Sequence, residues 1–168
     1  MLKIAYILTP VDYGGSEKVN LTFLKNVDRE RFDIRPILLV RPWEKDNFFQ
    51  TKIQELHYSF HDIPVAVKKR SEGKDYFRII RCIYALYKIL SAEKFHIVHS
   101  HGYFADIIGI IVSRILKIPH IATCHGFISN DIILKIYNKI DKLSLRFCNR
   151  VIAVTDEIRK ELIHNGIK

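Results

Sequence analysis

The chain has 168 residues, of which 48% are hydrophobic, and this composition fits one domain with a buried core and excludes an intrinsically disordered chain. Its 27 lysines and arginines outnumber its 18 acidic residues, and the formal charge of +9 favours anionic partners such as phosphates, acidic lipids or nucleic acid. Every apolar run is shorter than the roughly 20 residues of a membrane-spanning helix, and the three cysteines form no ligand pattern. We therefore expect a cytoplasmic protein that contacts a membrane only peripherally, at its inner face.

Hydrophobic periodicity predicts that strands and helices alternate along the whole chain. In the first half of the chain the predicted elements are a strand over 2–8, a helix opened by Gly14-Gly15-Ser16, a strand over 32–40, a short helix over 49–56 and a short strand over 59–65. A helix over 75–91, a strand over 95–100, a helix over 105–116 and a strand over 119–124 follow. The last predicted elements are a helix over 132–147, a strand over 150–154 and a helix from Asp156 capped by Thr155. The first helix carries apolar residues at Val19, Phe23 and Val27. This alternation predicts a doubly wound α/β fold, a Rossmann-like parallel sheet with helices on both faces.

Ligands of such sheets bind beyond the carboxyl ends of the strands, so the residues that follow each strand are the candidates for function. Gly14-Gly15 follows the first strand and precedes a helix, whose free N–H groups and positive dipole end attract an anion such as phosphate. A plain tight turn before a helix fits the same residues. The dinucleotide fingerprint GxGxxG is absent, and the second strand ends in Val40-Arg41 instead of an acidic residue, which disfavours a nicotinamide-dependent oxidoreductase.

Histidines mark the ends of two later strands, at His99-Ser100-His101-Gly102 and at His125-Gly126-Phe127. Imidazole can hydrogen-bond to sugar hydroxyls or phosphate oxygens and can exchange a proton near neutral pH. His99 also fits the role of a hydrogen-bonded core histidine. His99 and His101 point to the same side of their strand and could share a metal ion, but no cysteine or nearby carboxylate completes a ligand set, so we predict no metal site.

Basic residues recur every three or four positions on the predicted helix over 132–147. They are Lys135, Lys139, Lys142 and Arg146, and they leave Ile133, Ile136, Tyr137 and Ile140 to turn inward. Near an anionic membrane each cation contributes about 1 kcal/mol, so this stripe could attach the protein to the membrane surface, although it also fits a solvated helix face. Nucleic acid is disfavoured because the aromatic residues follow core periodicity and do not alternate with the cations.

Four motifs occur in a characteristic order and spacing. They are Gly14-Gly15-Ser16-Glu17-Lys18-Val19, Ile97-Val98-His99-Ser100-His101-Gly102, Ile118-Pro119-His120-Ile121-Ala122-Thr123-Cys124-His125-Gly126 and Arg150-Val151-Ile152-Ala153-Val154-Thr155. Together they resemble the N-terminal half of a family-4 glycosyltransferase. The resemblance implies a GT-B architecture, in which two Rossmann-like domains face each other and a nucleotide sugar lies between them, mostly on the C-terminal domain.

The resemblance also implies roles for individual residues. Gly14 and Gly15 would approach the donor diphosphate, His125 would lie beside the reacting sugar and act in catalysis, and the domain as a whole would hold a glycan or lipid-linked acceptor. We place His101, Tyr103 and Asn130 in the acceptor site. Family members generally retain the anomeric configuration and need no divalent metal, so no cofactor is expected.

We interpret residues 1–168 as one domain that lacks the C-terminal donor-binding domain, and we expect the isolated chain to be inactive. Two alternatives remain open: a non-catalytic module that binds a glycan or a partner, and half of a GT-B sugar-nucleotide epimerase. Cell-surface polysaccharide biosynthesis is the process in which such a transferase is expected to act.

Overall fold

The computed structural model describes residues 1–10, 14–43, 47–67, 75–127 and 132–167. The strands in this part of the chain are β1 (Leu2–Leu8), β2 (Phe32–Val40), β3 (His61–Pro64), β4 (Ile97–His101), β5 (His120–Cys124) and β6 (Arg150–Ala153). The helices are α1 (Gly15–Asn26), α2 (Phe48–Glu55), α3 (Arg78–Glu93), α4 (Tyr103–Leu116), α5 (Ile132–Leu145) and α6 (Asp156–His164). Each predicted strand and helix is confirmed, with bounds that differ by a few residues.

The six strands form one parallel sheet in the order β3-β2-β1-β4-β5-β6. Helices α1 and α2 pack against one face through Leu24, Phe49 and Ile53, whereas α3 and α4 pack against the other face. Strand order reverses at β1, where Leu8 pairs with Leu38 on one side and with His101 on the other. In sheets of this kind the ligand crevice lies where the order reverses, which here is between the carboxyl ends of β1 and β4.

The inward face of α1 carries polar residues as well as apolar ones. Val19 and Phe23 are exposed, whereas the residues of α1 that turn toward the sheet are Glu17, Asn20 and Leu24. Asn20 is satisfied there because its Oδ1 accepts a hydrogen bond of 2.6 Å from the Tyr6 hydroxyl. The first turn of α1 therefore brings polar side chains, instead of apolar ones, to the end of β1.

Two further helices present apolar side chains to solvent. The prediction that Ile136 and Ile140 of α5 turn inward is wrong, because both are exposed while Asp141 and Leu145 are buried. Ile133 and Tyr137 have side chains outside the described part of the structure. On α3 the buried residues are Cys82, Leu86 and Leu90, and the aromatic residues of this helix do not follow core periodicity.

Helix α6 begins as the sequence predicts. The hydroxyl oxygen of Thr155 accepts a hydrogen bond of 3.3 Å from the Ile158 amide, and Asp156 and Glu157 lie in the first turn, near the positive end of the helix dipole. Within the described ranges, no helix combines the length and the apolar character that crossing a bilayer requires.

Candidate functional site

A cavity of about 160 Å³ lies at the carboxyl ends of β1 and β4, where the strand order reverses. Its walls come from the end of β1, the first turns of α1 and α4, and the ends of β2, β4 and β5. The lining residues are Leu8, Thr9, Ser16, Glu17, Asn20, Arg41, His101, Gly102, Tyr103, Phe104 and His125. The structure thus brings the first turn of α1 and both histidine-bearing strand ends to one crevice.

Three aromatic rings cluster along the wall of this cavity that is formed by β1 and β4. The rings of Tyr6 and His99 each pack 4.4 Å from that of His101 and lie 5.2 Å from each other, so the three rings form a triangle. His99 lies 2.8 Å from Thr123 Oγ1 and is not among the lining residues, so its contacts are those of a structural histidine. This packing fixes the plane of the His101 ring.

His101 and His125 contact each other across the gap between β4 and β5, with Nδ1 of His101 3.4 Å from Nε2 of His125. The other ring nitrogen of His101, Nε2, is buried and has no hydrogen-bond partner within the described part of the chain. Oγ1 of Thr9, which also lines the cavity, is likewise buried without a hydrogen-bond partner among the described residues. Buried polar atoms are normally hydrogen-bonded, so these two atoms mark a place where a bound molecule can supply the partner.

The histidines of the cavity are uncharged near neutral pH. Burial holds the pKa of His101 well below its usual value, and repulsion from His99 and His125 lowers it further. Burial also lowers the pKa of His125, although the carboxylate of Glu17 acts in the opposite direction. Neutral imidazoles can donate to and accept from hydroxyl groups, but they do not attract a phosphate as a cation would.

Glu17 stands in the cavity lining although it is a buried carboxylate. It accepts a hydrogen bond of 3.0 Å from the hydroxyl of Ser16, and a side chain at Gly14 would meet its Oε2 at 3.0 Å. Glu17 and Asn20 were not among the predicted site residues, because polar residues on a helix are ordinarily assigned to the solvent side. The signal that points to them is their spacing with Leu24, which places all three on one face of α1.

A second group of polar side chains lies beneath the turn between β4 and α4. The Ser100 hydroxyl donates to Asp106 and lies 2.7 Å from Nε2 of His120, and all three residues are buried. Burial raises the pKa of Asp106 well above its usual range, and the nearby carboxyl of Asp141 raises it further. Burial also raises the pKa of Asp141, to about 7, and lowers that of His120, to about 3. This group anchors the strand residue before His101 to the first turn of α4.

The other predicted site residues fall at several places. Gly14 is the N-cap of α1 and Gly15 its first residue, directly before Ser16 and Glu17 of the lining. Tyr103 begins α4 and lines the cavity. Asn130 lies outside the described residues.

The four basic residues of α5 differ in their surroundings. Lys135 and Lys139 are exposed. Lys142 forms an ion pair of 2.6 Å with Glu161, and Arg146 donates to the carbonyl oxygen of Asn165 at 2.6 Å.

In the described ranges, no three His, Cys, Asp or Glu residues are grouped so that they could hold a metal ion.

Comparison with a known enzyme of similar sequence points to sugar transfer. The chain is 28% identical over 127 residues to an Escherichia coli UDP-Gal:alpha-D-GlcNAc-diphosphoundecaprenol alpha-1,3-galactosyltransferase, and the match covers 75% of this chain and 30% of that enzyme. The chain thus spans less than a third of the length of this relative.

Comparison with solved structures supports the fold. Anabaena HepE, solved in complex with UDP-glucose, matches 100% of this chain and 42% of its own with a TM-score of 0.75 at 16% identity. The UDP-GlcNAc 2-epimerase from Methanocaldococcus jannaschii matches 99% of this chain and 43% of its own with a TM-score of 0.68 at 15% identity. These likenesses identify the Rossmann-like fold of one half of a GT-B protein, a fold that occurs both in an epimerase and in a galactosyltransferase.

The sequence itself distinguishes between these classes. The sequence profile of Glycosyltransferase Family 4 matches residues 13–168, which is nearly the whole chain and includes all four motifs, three of which contribute residues to the cavity lining. The chain therefore belongs to Glycosyltransferase Family 4.

Proposed function

We propose that this chain is the acceptor-side half of a retaining glycosyltransferase that moves a hexosyl group from a nucleotide diphosphate sugar to a glycan or lipid-linked acceptor. Membership of the family supports transfer as the reaction. The name of the Escherichia coli relative describes transfer from UDP-Gal to a sugar on diphosphoundecaprenol, which supports the donor and acceptor classes. The observation that carries the proposal is the cavity itself, in which His101, His125 and Glu17 face one small space.

The chemistry of the lining suits an uncharged, hydroxyl-rich ring. Neutral imidazoles and a buried carboxylate offer hydrogen bonds to sugar hydroxyls, and the carboxylate of Glu17 accepts from them without donating. We assign His125 to the reacting sugar of the donor, because its half-buried ring lies at the carboxyl end of β5 beside His101. His101 and Tyr103, with Asn130, are assigned to the acceptor.

The donor phosphates are assigned to the amides of Gly14 and Gly15. These amides lie at the N-terminus of α1, where the helix dipole favours an anion. The carboxylate of Glu17 stands beside Gly14 and would repel a phosphate that came closer to it. In our proposal the diphosphate therefore contacts the backbone at Gly14 and Gly15, while Glu17 contacts a hydroxyl of the sugar.

Most of the donor site is assigned to a second domain. The chain matches 42% of the length of HepE and 43% of the length of the epimerase, so more than half of each of those proteins has no counterpart in residues 1–168. In our proposal residues 1–168 form one domain, and a second Rossmann-like domain supplies the nucleotide site. The isolated chain would then bind a nucleotide sugar weakly and transfer none of it.

The proposal is tested by a sugar-transfer assay on a protein that joins residues 1–168 to a donor-binding domain, with UDP-galactose and a GlcNAc-diphospholipid as substrates. Replacing His125 by alanine should lower kcat/KM by at least about 100-fold, which is the typical cost of removing one group that stabilises the transition state. His164→Ala is the matched control, because His164 is exposed on α6 and is not a lining residue. Undiminished transfer by the His125→Ala variant would remove His125 from the site.

The same assay distinguishes the two alternatives. Half of an epimerase would convert UDP-GlcNAc without any acceptor, and this outcome would contradict sugar transfer. A non-catalytic module would bind the acceptor glycan and show no turnover with any donor domain. Tight binding of UDP-galactose to residues 1–168 alone would contradict the division of the two binding sites between two domains.

A further inference from the structure

Helix α3 carries a continuous apolar stripe on its solvent side. Ile80 and Tyr84 are each 63% exposed, and Phe77 and Tyr87 extend the stripe at spacings of three residues in both directions. The stripe lies opposite the residues of α3 that pack on the sheet. Exposed apolar residues scattered singly need no explanation, but a row along a whole helix is unusual for a surface that faces only water.

Helix α5 and the turn after it repeat this arrangement. Ile136, Ile140 and Leu143 on α5, and Phe147 just beyond its end, follow one another at spacings of four, three and four residues, and all four are exposed. Leu143 points directly away from the buried side of α5, because it lies two residues from both Asp141 and Leu145. The apolar stripe and the exposed Lys135 and Lys139 thus occupy the same solvent side of the helix.

Helix α4 lies between α3 and α5 and packs against both. Most of α4 is buried, and its exposed apolar residues are Ile111 and Ile115. Arg114 links α4 to the end of the α5 stripe, because its guanidinium donates to the Phe147 carbonyl oxygen at 3.1 Å and lies 5.7 Å from the centre of the Phe147 ring. The stripes of α3, α4 and α5 therefore belong to one layer of helices, and we call their solvent side the three-helix face.

Charge on the three-helix face is positive. The exposed cations include Lys88 on α3 and Lys135 and Lys139 on α5, whereas Arg81 on α3 is paired with Asp75. Three acidic residues occur in the sequences of α3, α4 and α5, and none leaves an unbalanced negative charge on the face. Asp106 and Asp141 are buried, and Glu93, at the end of α3, pairs with Lys3 and His61.

We propose that the three-helix face docks on an anionic lipid bilayer, with its isoleucine, leucine and phenylalanine side chains in the interfacial region and its lysines at the lipid headgroups. Amphipathic helices that bind in the plane of a membrane combine these two features. Each cation near an anionic surface contributes about 1 kcal/mol, so the exposed lysines of α5 and α3 add to the apolar burial. This inference does not depend on the proposed sugar transfer.

Other occupants fit the face less well. A second copy of the chain would place two cationic faces against each other, which like-charge repulsion opposes. A single-stranded nucleic acid would be held by aromatic rings that stack on bases. Such rings are frequent only in the α3 stripe, whereas the exposed apolar residues named on α4 and along the α5 stripe are aliphatic except for Phe147. Only a lipid surface uses both the aliphatic stripe and the cations.

The position of the face also suits a membrane-bound substrate. Tyr103 lines the cavity and begins α4, so the cavity opens at the N-terminal end of the central helix of this face. A protein that lies on a membrane with α3, α4 and α5 would hold the cavity close to the headgroups.

The test is co-sedimentation of the purified chain with vesicles of phosphatidylcholine alone and of phosphatidylcholine mixed with phosphatidylglycerol. We expect binding to the mixed vesicles, with at least about a 10-fold loss of affinity in the double variant K135E/K139E. The double variant I136S/L143S should lose affinity to a similar degree. Circular dichroism and thermal unfolding of both variants should match the parent, because all four side chains are exposed.

The matched control is K25E/K160E, which reverses the same number of exposed lysines on α1 and α6. It should keep most of the affinity for the mixed vesicles. The proposal would be overturned if K135E/K139E and K25E/K160E lost affinity equally, or if I136S/L143S bound as the parent does. It would also be overturned if the parent ignored both kinds of vesicle and instead formed dimers in light scattering, or bound RNA, through this face.

Discussion

Nδ1 of His101 lies 3.4 Å from Nε2 of His125, although 24 residues separate the two along the chain. The contact arises because β4 and β5 are neighbouring parallel strands that end at the same edge of the sheet. One ring nitrogen must carry a proton and the other must lack it for this hydrogen bond to form. The tautomer of each histidine is therefore set by the other, and a charge on both rings would break the contact.

We expect both histidines to be uncharged above pH 7, with NMR titration of the imidazole protons as the measurement. Burial lowers the pKa of each ring, and repulsion from His125 contributes to the low pKa of His101. In a His125→Gln variant the pKa of His101 should therefore rise toward its usual value. A midpoint for His125 above 6.5 in the parent protein would contradict the uncharged imidazoles on which our assignment of a sugar site depends.

Asp141 should make the protein less stable as the pH rises. Its pKa of about 7 in the folded protein exceeds that of a free aspartate, so the folded state binds a proton that the unfolded state releases above about pH 4. The stabilisation from this proton is present at pH 4 and lost by pH 7. An Asp141→Asn variant should therefore be more stable than the parent by about 2 kcal/mol at pH 8 and nearly equal to it at pH 4.

Urea unfolding at the two pH values measures this difference. Glu30→Gln is the control, because Glu30 is exposed in a turn and its replacement should change stability little at either pH. A gain in the Asp141→Asn variant that is the same at pH 4 and pH 8 would show that ionisation of Asp141 is not the cause.

Burial of histidines makes the protein less stable as the pH falls, whereas Asp141 makes it less stable as the pH rises. His99 and His120 have pKa values of about 4 and 3, so the unfolded state takes up protons below pH 6.5 that the folded state does not. The stabilisation that each contributes is fully present above pH 6.5 and decreases as the pH falls toward those values, by about 1.4 kcal/mol per pH unit. Replacing His120 by asparagine should make the acid side of the stability curve less steep in a urea-unfolding series, with the parent as reference.

Two glycines should respond differently to alanine. A Cβ at Gly109 would lie 3.2 Å from Cε1 of His120, whose ring is buried and whose Nε2 lies 2.7 Å from the Ser100 hydroxyl and so has little room to move. We expect Gly109→Ala to lower the free energy of unfolding by about 1–3 kcal/mol, because overpacking outweighs the better helix propensity of alanine.

A Cβ at Gly15 meets no atom within 4 Å, so Gly15→Ala should leave stability equal or slightly higher. Thermal unfolding of both variants measures the contrast. Equal stability of the two variants would mean that the ring of His120 can shift. In the transfer assay, a loss of activity in Gly15→Ala without a loss of stability would support the assignment of donor phosphate to this turn.

Removing the cap of α6 should destabilise the protein modestly. Thr155→Ala deletes the oxygen that accepts from the Ile158 amide, and such changes cost about 0.5–2 kcal/mol. Thr155→Ser keeps the oxygen and should retain most of the stability in the same urea-unfolding experiment. Equal losses in both variants would assign the effect to the methyl group of the threonine.

The strands were predictable because a parallel sheet is buried on both faces. The bounds of β1 and β2 coincide with the predicted 2–8 and 32–40, since both segments are rich in apolar residues that the sheet buries. The site was partly predictable for a related reason, since the ends of parallel strands meet at one edge. His101 and His125 therefore reach one cavity as the order of the strands requires.

The inward faces of the helices were not predictable in the same way. α3 and α5 carry apolar residues on two sides, and periodicity cannot identify which of two apolar sides packs on the sheet. In α1 the inward residues could not be identified for a different reason, because the polar residues Glu17 and Asn20 face inward and line the cavity. Sequence patterns assume that buried residues are apolar and exposed residues polar, and this assumption fails both at the lining of the cavity and on the exposed apolar sides of α3 and α5.

The pairing of Leu8 with His101 also has a consequence for the order in which the protein is made. Because synthesis proceeds from the N-terminus, β1 and β2 leave the ribosome early and can pair with each other. The edge of β1 that faces away from β2 has no partner until β4 has emerged about 90 residues later. During that interval one edge of the first strand has unpaired backbone groups, which expose the newly synthesised chain to non-native strand pairing.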